Sequence, residues 1–133
     1  MRINLSNEWS LDIASDFQNR IEDDHIVFWK EGSTLLVTIF AYSGERHRET
    51  LLANLKAKAE AEKLETISED EGQIVRFGYL KLEEIMPGHE RLALHAFTTA
   101  PHTCLQTSFY IDNPEDLHDC LLMWNSAQWV EES

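Results

Sequence analysis

Residues 25–63 decide the fold, and they read HIVFWKEGSTLLVTIFAYSGERHRETLLANLKAKAEAEK. The runs at residues 25–30 and 35–42 are apolar at consecutive positions, which predicts strands near the middle of a sheet. Gly32 between them supplies the positive φ that a tight hairpin needs. From about residue 45 to 63 the apolar period becomes three to four, which predicts an amphipathic helix of about four to five turns.

The flanking sequence extends this unit in both directions. Upstream, Trp9, Leu11 and Ile13 alternate with polar residues and Phe17 follows, which predicts a first, half-buried strand. Thr66 marks a further short strand as an alternative. The remaining predicted elements are an acidic turn at residues 69–72, a turn at 86–89, and strands at 73–82, 91–99 and 104–111.

The C-terminal part begins with a helix signal. Asn113 is suited to the N-cap and Pro114 to the first helical position, with acids in the first turn. The predicted helix runs from about Asn113 to Trp129, and its apolar stripe consists of Leu117, Cys120, Leu121 and Trp124. The chain therefore predicts a single α+β domain over residues 1–133. It has the order βββαβββα, with two main helices on a curved antiparallel β-sheet.

This succession of three strands, a helix, three strands and a C-terminal helix resembles the Mog1/PsbP-like fold. The resemblance rests on the helix after Tyr42, the hairpin around Gly72 and the helix start at residues 113–116. It implies a protein that binds macromolecules rather than a catalyst, and it carries over no functional residue.

The charge composition limits the classes of partner that we expect the chain to bind. The 133 residues contain 11 Lys and Arg against 24 Asp and Glu, a formal charge of −13. A polyanion would meet a field of its own sign, so we expect neither a nucleic-acid partner nor an anionic membrane. The N-terminus lacks the apolar segment of a secretory signal, and we expect a cytoplasmic protein.

Candidate chemistry was sought among the histidines and cysteines. A structural zinc site needs its ligands in closely spaced pairs. The spacing of the candidate His and Cys ligands does not match such pairs: His95, His102, Cys104, His118 and Cys120. Neither cysteine lies in a catalytic signature, and we interpret both as reduced core thiols. We therefore expect no metal, no cofactor and no enzymatic activity.

Charge patterning is the most informative functional signal. Residues 46–63 carry five basic and three acidic side chains, whereas the rest of the chain is strongly acidic. Two acidic segments are the candidate partner-binding residues: Glu22, Asp23, Asp24, Glu69, Asp70 and Glu71. Such a field steers a basic partner, although acidity could instead serve solubility alone.

Three functional hypotheses follow. The first is a small acidic protein that binds a basic protein partner, in the manner of immunity proteins that neutralise nuclease-type toxins. The second is a Mog1-like accessory or adaptor protein that binds a GTPase or another regulatory protein, with residues 46–63 as the alternative interface. The third is a small enzyme or ligand carrier with a pocket between sheet and helices. Oligomeric state is left open.

Overall fold

The computed structural model describes residues 1–131, apart from the side chains of Glu45 and Ile85. Within these residues the chain forms ten strands and two α-helices. The strands are β1 (Arg2–Asn4), β2 (Trp9–Asp12), β3 (Gln18–Glu22), β4 (His25–Lys30), β5 (Ser33–Ala41), β6 (Glu65–Glu71), β7 (Ile74–Met86), β8 (His89–Thr99), β9 (Thr103–Ile111) and β10 (Gln128–Trp129). The helices are α1 (Gly44–Ala61) and α2 (Leu117–Asn125), with a 3₁₀ turn at Pro114–Asp116 before α2.

The strands form two antiparallel sheets. The main sheet has seven strands in the order β3-β4-β5-β9-β8-β7-β6, and the small sheet has three in the order β1-β2-β10. The predicted α+β class with an antiparallel sheet and two main helices is confirmed. The predicted order βββαβββα was too short, because five strands precede α1, four follow it, and β10 comes after α2.

Strands β1, β3 and β10 were not predicted, because they lack the apolar alternation that indicates a strand in a sequence. In β3 the large apolar residue is Ile21, and it is 81% exposed. Strand β2 ends at Asp12, so Ile13 and Phe17 lie in the loop before β3 rather than in a continued strand. The alternative strand at Thr66 is confirmed as β6. The hairpin turn at Gly32 is also confirmed, and its φ is 81°.

One face of the main sheet, here called the α2 side, carries the larger core. Trp9 and Leu11 of the small sheet and Trp124 of α2 pack there against Phe28 and Phe109 of the main sheet. Trp124 is 1% exposed, and its indole N–H donates to Thr98 Oγ1 at 3.0 Å. A Cβ on Gly78 would lie 2.9 Å from the Trp124 ring, so the absence of a side chain there lets the indole approach β7 closely.

The opposite face, here called the α1 side, has a thinner core. Buried residues of the sheet and of α1 meet there, with half-buried leucines of α1 at the margin: Ala59, Phe77, Tyr79, Phe97 and Cys104, then Leu51, Leu52 and Leu55. Arg48 was expected on the charged face of α1, but it is 4% exposed. Its guanidinium donates to Gln73 O at 2.8 Å and to Thr99 Oγ1 at 3.1 Å, which ties α1 to the sheet.

The C-terminal helix is shorter than predicted. Asn113 is confirmed as a cap, because its side chain accepts from the Glu115 N–H at 3.0 Å. The α-helix ends at Asn125, and Trp129 lies in β10, where it pairs with Trp9 of β2. The predicted helix thus ran past the actual helix end, because Trp129 of β10 follows at a spacing that mimics one more turn. Within residues 1–131, neither helix has the length and apolarity needed to cross a membrane.

Candidate functional site

The structure places the two predicted acidic segments at opposite edges of the main sheet. Glu22 ends edge strand β3, and Asp23 and Asp24 form its turn to β4. Glu69 and Glu71 lie at the end of the other edge strand, β6. Since six inter-strand steps of about 4.8 Å separate these edges, the segments do not converge on one site.

The first segment is partly neutralised by its own neighbours. Glu22 lies 2.5 Å from Arg20 Nε and 3.3 Å from His25 Nε2. Asp24 is 92% exposed and lies 3.4 Å from His25 Nδ1. Asp23 occupies the turn at a positive φ of 34°, which Asp tolerates better than most residues. The side chains left to meet a partner are therefore Asp23 and Asp24.

The second segment was expected as a turn, and that expectation was wrong. Residues 69–71 pair with residues 74–76 of β7, so the turn itself is shortened to Gly72 and Gln73. Glu71 lies 2.8 Å from Arg76 Nη1, and this hydrogen bond lowers the pKa of the Glu71 carboxyl. The pKa of Glu69 is raised by its hydrogen bond to Glu71 and by the like charge there. All three members of this segment are exposed, and Glu69 and Asp70 are the two that form no ion pair within residues 1–131.

A third acidic surface, which sequence reasoning missed, surrounds a cavity of about 350 Å³ beside α2. We call it the α2 cavity. Its acidic lining residues are Asp12, Asp116 and Asp119, and its main apolar lining residues are Ile13, Phe17, Cys120, Leu122 and Met123. The sequence signal was the acidic first turn of the helix, which was interpreted only as helix capping. Because the lining comes from four separate parts of the chain, the cavity itself has no sequence signature.

Lys30 and Met1 also line this cavity, and their cationic groups are already engaged. Lys30 Nζ lies 3.1 Å from Asp16 Oδ2 and 5.0 Å from the centre of the Phe17 ring. The amino group of Met1 donates to Asp12 Oδ1 at 2.8 Å, which lowers the pKa of that carboxyl. Asp116 and Asp119 form no ion pair with any residue in the range 1–131. The mouth of the cavity is therefore acidic.

Both thiols are buried and protonated. Burial raises the pKa of Cys104 and of Cys120 to about 12, and for Cys120 the charges of Asp116 and Asp119 add to the effect. The two are far apart in the fold and unbridged. Cys104 lies in a central strand and pairs with Phe40 and Thr99. A thiol that stays protonated is a poor nucleophile and a poor metal ligand.

The histidines considered for zinc are not brought together. His102 is about half exposed and lies 2.9 Å from Glu8 Oε1. His95 lies on a different part of the sheet, with Nε2 2.5 Å from Glu83 Oε2. Across residues 1–131, the side chains of His, Cys, Asp and Glu form no group of three that could hold a metal ion.

The side chains of Glu83, His95 and Ser108 are linked in the order acid, imidazole and hydroxyl, as in a nucleophilic triad. Its Nδ1 lies 2.9 Å from Ser108 Oγ, opposite the contact with Glu83. A triad also needs free N–H donors for an oxyanion, and Ser108 lies in central strand β9, paired with Leu36 and His95. The ladder on both sides uses those N–H groups, so the cluster can fix the imidazole but cannot stabilise an oxyanion from the β9 backbone.

A second cavity, of about 460 Å³, lies on the part of the α1 side that α1 leaves uncovered. Trp29 lines it, with Arg20 5.1 Å above its ring. Arg91 also lines it, and its Nε lies 2.8 Å from Asp112 Oδ1. Each arginine is thus held by a carboxylate of this chain, and the cavity presents a mixed rather than a single-sign surface.

Comparisons with known proteins establish the fold alone. No known family model matches the sequence, and no curated protein is significantly similar to it. The structure is similar to the crystal structure, at 1.50 Å resolution, of a protein from Bacteroides thetaiotaomicron VPI-5482, with a TM-score of 0.73 and 11% identity. The match covers 93% of this chain and 46% of that one, so this chain spans about half the length of that protein. The Mog1/PsbP-like resemblance stays a prediction.

Proposed function

We propose that this chain is a small acidic protein-binding protein whose partner is a basic protein. The observation that carries this proposal is that its acidic excess is exposed rather than consumed by internal ion pairs. Asp23, Asp70 and Asp119 lie on three different surfaces, and none forms an ion pair within residues 1–131. Exposed charge of one sign steers an oppositely charged partner and accelerates encounter.

The form of this function that we favour is an immunity-type protein that neutralises a nuclease toxin. A nuclease needs a basic cleft to attract phosphates, and an acidic surface is complementary to such a cleft. The proposed contact residues are the two predicted segments. Because Glu22 and Glu71 are already paired with Arg20 and Arg76, their exposed neighbours would meet the partner first.

We further propose that the chain acts by binding and has no enzymatic activity. Two features support this. The thiols Cys104 and Cys120 are protonated at neutral pH, and the Ser108 hydroxyl lies in a strand whose N–H groups are used by the ladder. The thiols are therefore not activated as nucleophiles, and the backbone beside Ser108 offers no N–H donors for an oxyanion.

A second candidate is the Mog1-like adaptor, and the exposed side of α1 favours it. Arg46 and Lys56 of α1, and Lys63 just after its end, are exposed on the basic segment 46–63 of an acidic chain. A GTPase or other regulatory protein with an acidic surface would be complementary to these residues.

Capture from a lysate of the source cell separates the two candidates. The baits are the wild type, the paired reversals D23K/D24K and E69K/D70K, and the matched reversal K56E/K63E in the basic segment 46–63. We expect the wild type to retain a basic protein at about 0.01 M salt. Its binding should weaken at about 0.15 M salt, because the Debye length falls from roughly 30 Å to roughly 8 Å. The acidic reversals should fail to retain it. Retention by both acidic reversals together with loss from K56E/K63E would contradict the proposal and favour the adaptor.

A further inference from the structure

We propose that the α2 cavity receives an apolar side chain of the basic partner that is flanked by a lysine or arginine. This inference rests on the proposed function and names the chemistry of its central contact. It follows from an apolar interior and an acidic mouth that lie within one cavity.

The interior is shaped for an apolar group. Its volume of about 350 Å³ falls at the lower end of the range of natural ligand pockets. Ile13 and Cys120 are buried in its wall, and Met123 is 8% exposed. Leu122 lies at its rim and is 56% exposed, so an apolar surface continues from the cavity to the solvent. An anchor side chain seated in such a pocket is the usual centre of a binding hot spot.

The mouth selects the charge of the occupant. Asp116 and Asp119 lie at the first turn of α2 without an ion pair in the described range of residues 1–131, whereas Lys30 is held by Asp16. Burial raises the pKa of Cys120 in the cavity wall, and the charges of Asp116 and Asp119 raise it further, against a smaller opposite effect of Lys30. A cationic side chain next to the anchor would gain two charge-assisted contacts, and an anionic one would be repelled.

Other occupants fit less well. A second copy of this chain carries the same charge of −13 and would meet its own sign at the mouth. The second cavity, which Trp29 lines, does not present charge of a single sign. Its Arg20 and Arg91 are already paired with Glu22 and Asp112. A basic partner is the occupant that the charges of the α2 cavity favour.

Two small probes of equal apolar size and opposite charge test the cavity without the partner. Phenethylammonium and 3-phenylpropionate are each titrated into the full-length ¹⁵N-labelled protein, and amide shifts are followed at pH 7. We expect phenethylammonium alone to shift the amides of Ile13, Ala14, Cys120 and Leu122. Replacing Asp116 or Asp119 by Asn should weaken its binding about two- to five-fold each.

Variants locate the effect. Ala14 lines the cavity from an exposed loop, so Ala14→Trp should fill the space and abolish binding. Ala57→Trp, on the exposed face of α1, is the matched control and should leave binding unchanged. Leu122→Lys, at the exposed rim, should also abolish binding, and it serves if Ala14→Trp is not folded by circular dichroism. Equal binding of the two probes, binding of the anion alone, or no shifts from either probe would overturn the inference.

The two proposals fail separately. If the captured partner binds Ala14→Trp as tightly as wild type, the cavity inference is wrong while the proposed function stands. If the wild type captures no basic partner, the proposed function is wrong, and the probe titration still decides whether the cavity takes an amphipathic cation.

Discussion

The two sides of the main sheet bury the same kinds of polar side chain, but the α2 side is covered more completely than the α1 side. Each side buries one arginine and one thiol, Arg48 and Cys104 on the α1 side and Arg76 and Cys120 on the α2 side. On the α2 side a helix and a second sheet seal a core that contains Trp9 and Trp124, whereas α1 covers its side largely with half-buried leucines.

The sides also differ in the charge that they present. The α1 side carries exposed basic residues, and the α2 side carries unpaired carboxylates around a cavity. The acidic α2 side is therefore the more complementary of the two surfaces for a basic partner.

The largest expected effect concerns the seal of the α2 side. Trp124→Ala should lower the free energy of unfolding by about 3–5 kcal/mol, because the ring is fully buried and its removal leaves a cavity under α2. Urea denaturation measures the loss, with Trp29→Ala, where the ring is only half-buried, as the smaller comparison. A loss under about 1 kcal/mol would mean that the α2 side is not the stronger cover.

The thiols compare the two covers directly. With a pKa of about 12, each thiol should react with an aromatic disulfide reagent at pH 8 about a thousand-fold more slowly than in the unfolded chain. We expect Cys120 to react before Cys104, because Cys120 lines the α2 cavity and Cys104 lies in a central strand. Fast reaction of Cys104 in the native state would show that α1 detaches readily.

The raised pKa values of the thiols also make the free energy of unfolding depend on pH. Their contribution to stability should be fully present below about pH 9 and be lost as the pH rises towards 12.

Arg48 tests how much α1 depends on one buried guanidinium. Arg48→Met should cost about 1–3 kcal/mol, because the carbonyls of Gln73 and Thr99 lose donors. The exposed Arg46→Met is the control, and we expect a change within about 0.5 kcal/mol. Equal values from thermal or urea unfolding would remove this contact as the tie between α1 and the sheet.

The smallest effect is a pair of opposed titrations beside Arg76. In a carboxyl NMR titration, Glu71 should titrate below and Glu69 above the ordinary value for glutamate. The lowered pKa of Glu71 adds stability above pH 4.5 that is lost as the pH falls, and the raised pKa of Glu69 acts in the opposite sense. Arg76→Gln should move the Glu71 titration upward, and an unchanged Glu71 would contradict the pairing.

Periodicity accounts for what could be predicted from sequence. The runs that form β4 and β5, the helix after Gly44 and the cap at Asn113 are local patterns with local physical causes. Strand β3 could not be found, because Ile21 is its one large apolar side chain and it is exposed. Strand β10 exists only through its pairing with β2.

The candidate site was less predictable than the fold. Arg48 precedes Leu52 and Leu55 at helical spacing, but the buried acceptors that it meets, which include Gln73 and Thr99, are brought to it by the tertiary fold. The acidic segments were visible, but their neutralisation by Arg20 and Arg76 depends on strand register. The α2 cavity combines residues of the N-terminal loop and of α2, which no local pattern connects.

The most direct test of the central claim is the rate at which the captured basic partner associates with the chain at two ionic strengths. Stopped-flow traces at about 0.01 M and 0.15 M salt compare wild type with D116K/D119K, E69K/D70K and K56E/K63E. The account predicts a wild-type rate that falls by at least about ten-fold with salt, acidic reversals that are already slow at low salt, and K56E/K63E at least as fast as wild type. Association that is indifferent to salt and to both acidic reversals, and that slows in K56E/K63E, would contradict it.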